Sequence, residues 1–219
     1  MVQIIKLVIY FYVYQTLFSL LFLLIEYNWK ITTLIDCLER GTATNQSTTY
    51  LSLAMVLSGI TMIWHLIHFR YVKFNLKSLG EVSGKTIGWS IPLILSGMIF
   101  VNLCSEFIGL PDKLQDTFLA MSSNIFGILS ITIIAPLVEE LVFRQGIKNI
   151  IPNKYLFILV SGLVFGGLHV IGGIESYLDL FYLIPYCTPG FMFAYMLADS
   201  DNILVSSGLH FMHNGILIS

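Results

Sequence analysis

The chain has 219 residues, 56% of them hydrophobic and 11% charged, with a formal net charge of −2. A soluble domain carries roughly 25% charged residues; with a mean hydropathy of +0.83, this chain cannot cover a water-facing surface and its natural solvent is lipid. No basic stripe occurs anywhere, so nothing supports a nucleic-acid partner.

A spanning helix needs about 20 mostly apolar residues, and seven candidates follow in chain order. The expected fold class is all-α: a multi-pass transmembrane helix bundle of about seven spans, with residues 1–219 forming one integral membrane domain. The first span, 4–26, is interrupted only by Lys6. It is too long for a signal-peptide core and no small-residue cleavage site follows, so it reads as a retained helix. The connection 27–48 is long and polar; its Asn45-Gln46-Ser47 is a glycosylation-type triplet of a kind common by chance. The second span, 49–69, closes on Trp64, His65 and His68, which read as interfacial anchors. The third, 86–109, carries Glu106 near its outer end.

The fourth span, 117–149, is too long for a simple crossing. Its Pro136 lacks a backbone donor, which frees the carbonyl of Thr132 and predicts a kink. The fifth is 155–173. The sixth, 177–198, has Asp179 at its outer start, and its Pro185 and Pro189-Gly190 invite a break. The seventh is 202–219. The cysteines Cys37, Cys104 and Cys187 are far apart, so neither a disulfide framework nor a thiolate metal site follows.

Loop charge sets the orientation. Lys6, Arg70, Lys73, Lys77, Lys85, Arg144, Lys148 and Lys154 fall on one side, against Lys30, Arg40 and Lys113 on the other. Eight against three places the N-terminus in the cytoplasm of a cell-membrane protein.

Three places in the apolar helices carry chemistry. In Glu139-Glu140-Leu141-Val142-Phe143-Arg144, two acids and a base sit where lipid makes ionisable groups expensive. Glu140 and Arg144 are four apart with the acid first, the favourable order for pairing. Glu139 lies about 100° further round an α-helix, which leaves it free for proton transfer. In the fifth span Phe165 and His169 share a face, and Gly162 and Gly166 offer a surface for close helix approach. In the seventh, His210 and Asn214 share a face and can donate two hydrogen bonds to a developing oxyanion. Counted from the inner helix ends, Glu139, His210 and His169 lie roughly 15, 13 and 21 Å deep, close enough in depth to line one cavity.

Taken in this order, Glu139-Glu140-x-x-x-Arg144, Phe165-x-x-x-His169 and His210-x-x-x-Asn214 resemble the three motifs of the CPBP family. That family contains the type II CAAX prenyl endopeptidases and the bacterial Abi proteins linked to bacteriocin processing and self-immunity. The resemblance covers about residues 117–219, which it implies are the catalytic core. It implies an intramembrane endopeptidase with Glu139 as general base, working with His169 on a water. His210 and Asn214 become the oxyanion pair, Glu140 and Arg144 support, and Phe165 packs beside the site. The expected partners are the bilayer and a peptide or lipidated protein substrate, in a bacterial setting of bacteriocin or pheromone processing or self-immunity. The family is often labelled a metalloprotease. If a divalent metal such as zinc is used, Glu139, His169 and His210 are the ligands to expect; a metal-free glutamate mechanism uses the same side chains. The chain ends five residues after Asn214, where family members commonly continue. The rival class is a non-catalytic peptide-binding or immunity protein, or a small proton-coupled transporter that uses the carboxylates as a proton site.

Overall fold

The computed structural model describes residues 2–27, 30, 45–69, 82, 84–108, 121–171, 174 and 176–218. Cys37, Arg40, Arg70, Lys73, Lys77, Lys113 and residues 117–120 lie outside the described residues. Among those described, all regular structure is helical. The helices are α1 (Val2–Glu26), α2 (Asn45–His68), α3 (Gly84–Ile108), α4 (Ile125–Ile150), α5 (Lys154–Val170), α6 (Leu183–Ser200) and α7 (Ile203–Ile218). A 3-10 turn, Tyr177–Tyr182, leads into α6. By length and composition four segments can cross a membrane: Thr48–His68, Gly84–Cys104, Ile125–Ile150 and Tyr177–Ser200. Tyr12–Glu26, α5 and α7 are shorter apolar helices. Over their described residues all seven segments expected from hydropathy are therefore largely helical, but they are not seven equal spans.

Several boundaries have a local cause. Asn124 accepts a hydrogen bond from Gly127 N–H at 2.9 Å and so caps α4. The fourth helix thus starts well after the expected residue 117. Asn153 caps α5 through Leu156 N–H at 2.9 Å. α6 ends at Asp201, which adopts φ 52° and ψ 21°; a short polar side chain tolerates that left-handed geometry. Asn202 then accepts from Leu204 N–H at 2.9 Å and opens α7, so the two helices join through a two-residue corner. The sixth segment changes from 3-10 to α-helix at Leu183, and the α-helix runs on through its prolines. Pro185 sits in the first turn of α6, where its missing N–H costs nothing, and Pro189 is carried inside the helix.

α5 and α6 pack closely, and glycines allow it. A Cβ on Gly166 would lie 2.7 Å from the Cys187 backbone nitrogen, and one on Gly190 would lie 2.9 Å from the Gly162 carbonyl oxygen. These backbones come close because a glycine stands on at least one side of each contact. A core of Met62, Leu66, Val138, Leu141, Phe157 and Leu197 fills the space between α2, α4, α5 and α6. A second, of Ile94, Met192, Phe193, Met196 and Leu209, joins α3 to α6 and α7.

His65 is turned inward rather than out to the surroundings. It is buried against α1, with Nδ1 2.9 Å from the Tyr14 hydroxyl. His68 keeps an outward position, stacked on the exposed Trp64. Asp179 accepts from Ser176 N–H at 2.7 Å, which makes it a cap of the 3-10 turn. Glu106 is exposed near the end of α3.

Candidate active site

α4 is not a uniform α-helix. Two π-turns, Ser130–Ile134 and Glu140–Arg144, interrupt it on either side of Ala135–Glu139. Ala135 N–H bonds the Ser130 carbonyl, five residues back. In that register the donor missing at Pro136 falls to Ile131, not to Thr132 as α-helical spacing suggests. Asn214 of α7 supplies it: its Nδ2 donates to the Ile131 carbonyl at 2.9 Å. The proline therefore creates a backbone acceptor inside the bundle, and the last helix fills it.

At the junction between Ala135–Glu139 and the second π-turn, Glu139 and Glu140 both bring their carboxylates to α7. Glu140 is wholly buried. Its Oε1 lies 3.2 Å from His210 Nδ1 and 3.5 Å from Arg144 Nε, and its Oε2 accepts from the Ser206 hydroxyl. Glu139, 22% exposed, places Oε2 3.8 Å from His210 Nε2. The two acids thus flank one imidazole from opposite ring nitrogens. Helical spacing separates Glu139 from the Glu140–Arg144 pair, but both acids converge on His210.

Arg144 is buried as deeply as Glu140. Its guanidinium carbon sits 4.4 Å from the centre of the Phe165 ring and 5.9 Å from that of Phe193. Stacking on an aromatic face stabilises a desolvated guanidinium by about 2 kcal/mol or more. Phe165 is the hub of the ring contacts, with centroids 4.4 Å from His169 and 5.5 Å from His210. Phe193 stacks on the other face of His210 at 4.3 Å.

His169 donates from Nδ1 to the Phe165 carbonyl at 2.9 Å, one turn back on its own helix. A neutral imidazole so bonded keeps its lone pair on Nε2. The ring stacks against Tyr186 of α6 at 6.0 Å. His169 and His210 both contact the Phe165 ring, and no hydrogen bond joins His169 to Glu139 among the described residues. His210 and Asn214 share a face of α7 as their spacing requires, yet in this state one is turned to the carboxylates and the other to Ile131. Among the described residues no three His, Cys, Asp or Glu side chains are gathered as a metal-ligand set, so Glu139, His169 and His210 do not fit a zinc site as they stand.

Sequence reasoning missed Ser206 and Phe193. Ser206 had a readable signal: Ser206, His210 and Asn214 are spaced by four and define one face of α7. Phe193 had none, because its contact with His210 exists only once α6 and α7 pack. His213 is buried beside the site, its ring edge-on to Phe193 at 5.7 Å, with Nδ1 making no hydrogen bond.

Residues 121–216 match the family described as type II CAAX prenyl endopeptidase Rce1-like. A Mycoplasma capricolum subsp. capricolum protein named only as uncharacterized is 39% identical over 84 residues, 38% of this chain and 23% of that protein. UPF0177 protein YxdF of Lactococcus lactis subsp. lactis is 27% identical over 147 residues, 60% of this chain and 79% of YxdF. A Bacillus subtilis protein named "Putative membrane peptidase YdiL" is 31% identical over 90 residues, 40% of this chain and 34% of YdiL. The matched stretch therefore spans about a quarter to a third of two of these relatives and most of the third. No solved structure matches the chain. The stretch that holds the whole cluster, residues 121–216, is the part of the chain that is similar to the Rce1-like, type II CAAX prenyl endopeptidase family.

Proposed function

We propose that this protein is an intramembrane endopeptidase that cleaves a membrane-associated peptide or protein. The observation that carries the reading is His210 held between Glu139 and Glu140 inside an apolar bundle, within the region that matches the endopeptidase family. Of the two acids, Glu139 is the one water can reach, and Glu140 is sealed. Glu139 is the general base: it takes a proton from a water whose oxygen attacks the scissile carbonyl carbon. His169, with Nε2 free of its backbone bond, holds that water. The tetrahedral oxyanion accepts hydrogen bonds from His210 and from the Asn214 amide, which has a second N–H beyond the one given to Ile131. Collapse breaks the C–N bond, and the proton taken from the water passes to the leaving amine. Glu140, Arg144 and Phe165 keep His210 in place.

The whole chain acts as one membrane domain, with its N-terminus on the cytoplasmic side. The substrate is a peptide, or a protein carrying a lipid, that reaches the site from the bilayer; processing of a bacteriocin or pheromone peptide, or immunity to one, fits such chemistry. A second reading has its own observation. The buried series Arg144, Glu140, His210, Glu139 is also what a proton-coupled transporter needs.

The test is hydrolysis by the full-length protein in liposomes, using internally quenched peptides with and without a C-terminal lipidated cysteine. Wild type should cleave members of the set. Glu139→Gln and His169→Ala should each lose roughly 100-fold or more with an unchanged unfolding transition. Full cleavage by both variants sinks the peptidase reading; proton-coupled flux lost with Glu139→Gln would establish the transporter instead.

A further inference from the structure

Ser206 stands on α7 one turn before His210 and is completely buried. Its hydroxyl oxygen faces two acceptors: Glu140 Oε2, and the Phe193 backbone oxygen at 3.1 Å. A hydroxyl has one proton to give. A hydrogen bond to an ionised carboxylate is roughly twice as strong as one to a neutral carbonyl, so the proton goes to Glu140. That fixes the rotation of the carboxyl group. With Oε2 held by Ser206, Oε1 is the oxygen left for His210 Nδ1 and Arg144 Nε.

The orientation has a consequence one bond further on. An ionised carboxylate only accepts, so His210 meets it with Nδ1–H. In the neutral imidazole the lone pair then lies on Nε2, the nitrogen turned to Glu139 at 3.8 Å.

We propose that Ser206 is a positioning residue for this site: by pinning Glu140 to α7 it fixes the Nδ1–H tautomer of His210 and keeps Nε2 as the basic nitrogen facing Glu139. The catalytic consequence rests on the peptidase reading. A proton that Glu139 takes from the attacking water has His210 Nε2 as its neighbour. Once that nitrogen is protonated it can donate to the oxyanion, and the proton finally passes to the leaving amine. The tautomer itself belongs to the resting protein and needs no substrate.

The test uses the full-length protein in lipid nanodiscs, with histidine ring nitrogens labelled with nitrogen-15. Two-bond proton–nitrogen correlations distinguish the tautomers, and His210→Asn identifies the His210 signals. The expected result is an Nδ1–H tautomer in wild type, a shift toward Nε2–H in Ser206→Ala, and the wild-type pattern in Ser206→Thr. With a cleaved peptide from the quenched set, Ser206→Ala should lower kcat by roughly 10- to 100-fold with little change in KM, and Ser206→Thr should restore it. An Nε2–H tautomer in wild type, or a tautomer unmoved in a folded Ser206→Ala protein, overturns the proposal. A tautomer that shifts in a protein cleaving no peptide leaves the positioning role standing and overturns the peptidase reading.

Discussion

The same kinds of charged side chain meet at two places in this bundle, and solvent makes them different objects. At the α6–α7 corner, Lys148 pairs with Asp201, whose side chain is 89% exposed, and Lys154 reaches Asp199 at 3.5 Å. Thr86 of α3 donates to the same Asp199 at 2.8 Å. In the interior, Arg144, Glu140, His210 and Ser206 form a network in which neither member of the Arg144–Glu140 pair has any exposed side-chain surface. Exposed pairs contribute roughly 0–1 kcal/mol because water competes for each charge. A buried pair is not necessarily more stabilising, since desolvation offsets its attraction, but removing one partner strands the other and costs roughly 3–5 kcal/mol. The outer cluster ties helix ends together; the inner one fixes which atoms face which.

The largest effect should therefore come from Arg144→Ala. It strands the Glu140 carboxylate and empties the space over Phe165. A loss of roughly 3–5 kcal/mol is expected, read as a lowered unfolding transition in detergent or nanodiscs. The double variant Glu140→Gln/Arg144→Met removes both charges together and should recover part of that loss. If Arg144→Ala unfolds like wild type, the interior pair is not the desolvated contact its burial indicates.

Glu139→Gln separates the two roles more finely, because this acid lies between the regimes: 22% exposed, close to His210, and not paired with Arg144. Its loss should leave stability within about 0.5 kcal/mol, as for a surface substitution away from special features, while hydrolysis falls roughly 100-fold or more. Parallel unfolding and hydrolysis measurements check this. A large drop in stability would place Glu139 in the structural network after all.

How much of this could be read from the sequence follows the same division. The helices were legible because lipid permits little besides apolar runs of spanning length. Glu139, Glu140, Arg144, His169, His210 and Asn214 stood out because each is expensive among apolar residues. Their contacts were less legible. An α-helical count turns Glu139 away from the Glu140 side, yet both acids meet His210 because its ring reaches between them, one nitrogen to each. A π-turn has no local composition to announce it. Pro136 did announce a freed carbonyl, but the five-residue register at Ala135 assigns it to Ile131. The Lys148–Asp201 pair links residues 53 apart and follows from packing alone.

A packing change should rank next. Gly166→Val puts side-chain atoms where Cys187 already lies, since even a Cβ there would come within 2.7 Å of its backbone nitrogen. Overpacking of this kind costs roughly 1–3 kcal/mol. Because α5 carries Phe165 and His169, the displacement should reach the site, and hydrolysis should fall along with the unfolding temperature. Gly167→Ala is the control one residue on, where an added Cβ meets nothing within 4 Å. Equal losses from the two would mean that the α5–α6 contact is not what is being measured.

Lys148→Ala should do least. The side chain is about a quarter exposed and its partner Asp201 almost fully so. Its ammonium group also donates to the Leu197 carbonyl at 3.2 Å, one of the acceptors at the end of α6. Water can take over both contacts. The expected loss is roughly 0–1 kcal/mol, and it should shrink as salt screens the pair, whereas the Arg144→Ala loss should barely move between low and high salt. The salt series is the sharper measurement, because it compares the clusters by the property that distinguishes them. A Lys148→Ala loss that is large and indifferent to salt would show that the α6–α7 corner is held like the interior, and the contrast between an outer tie and an inner aligning network would collapse.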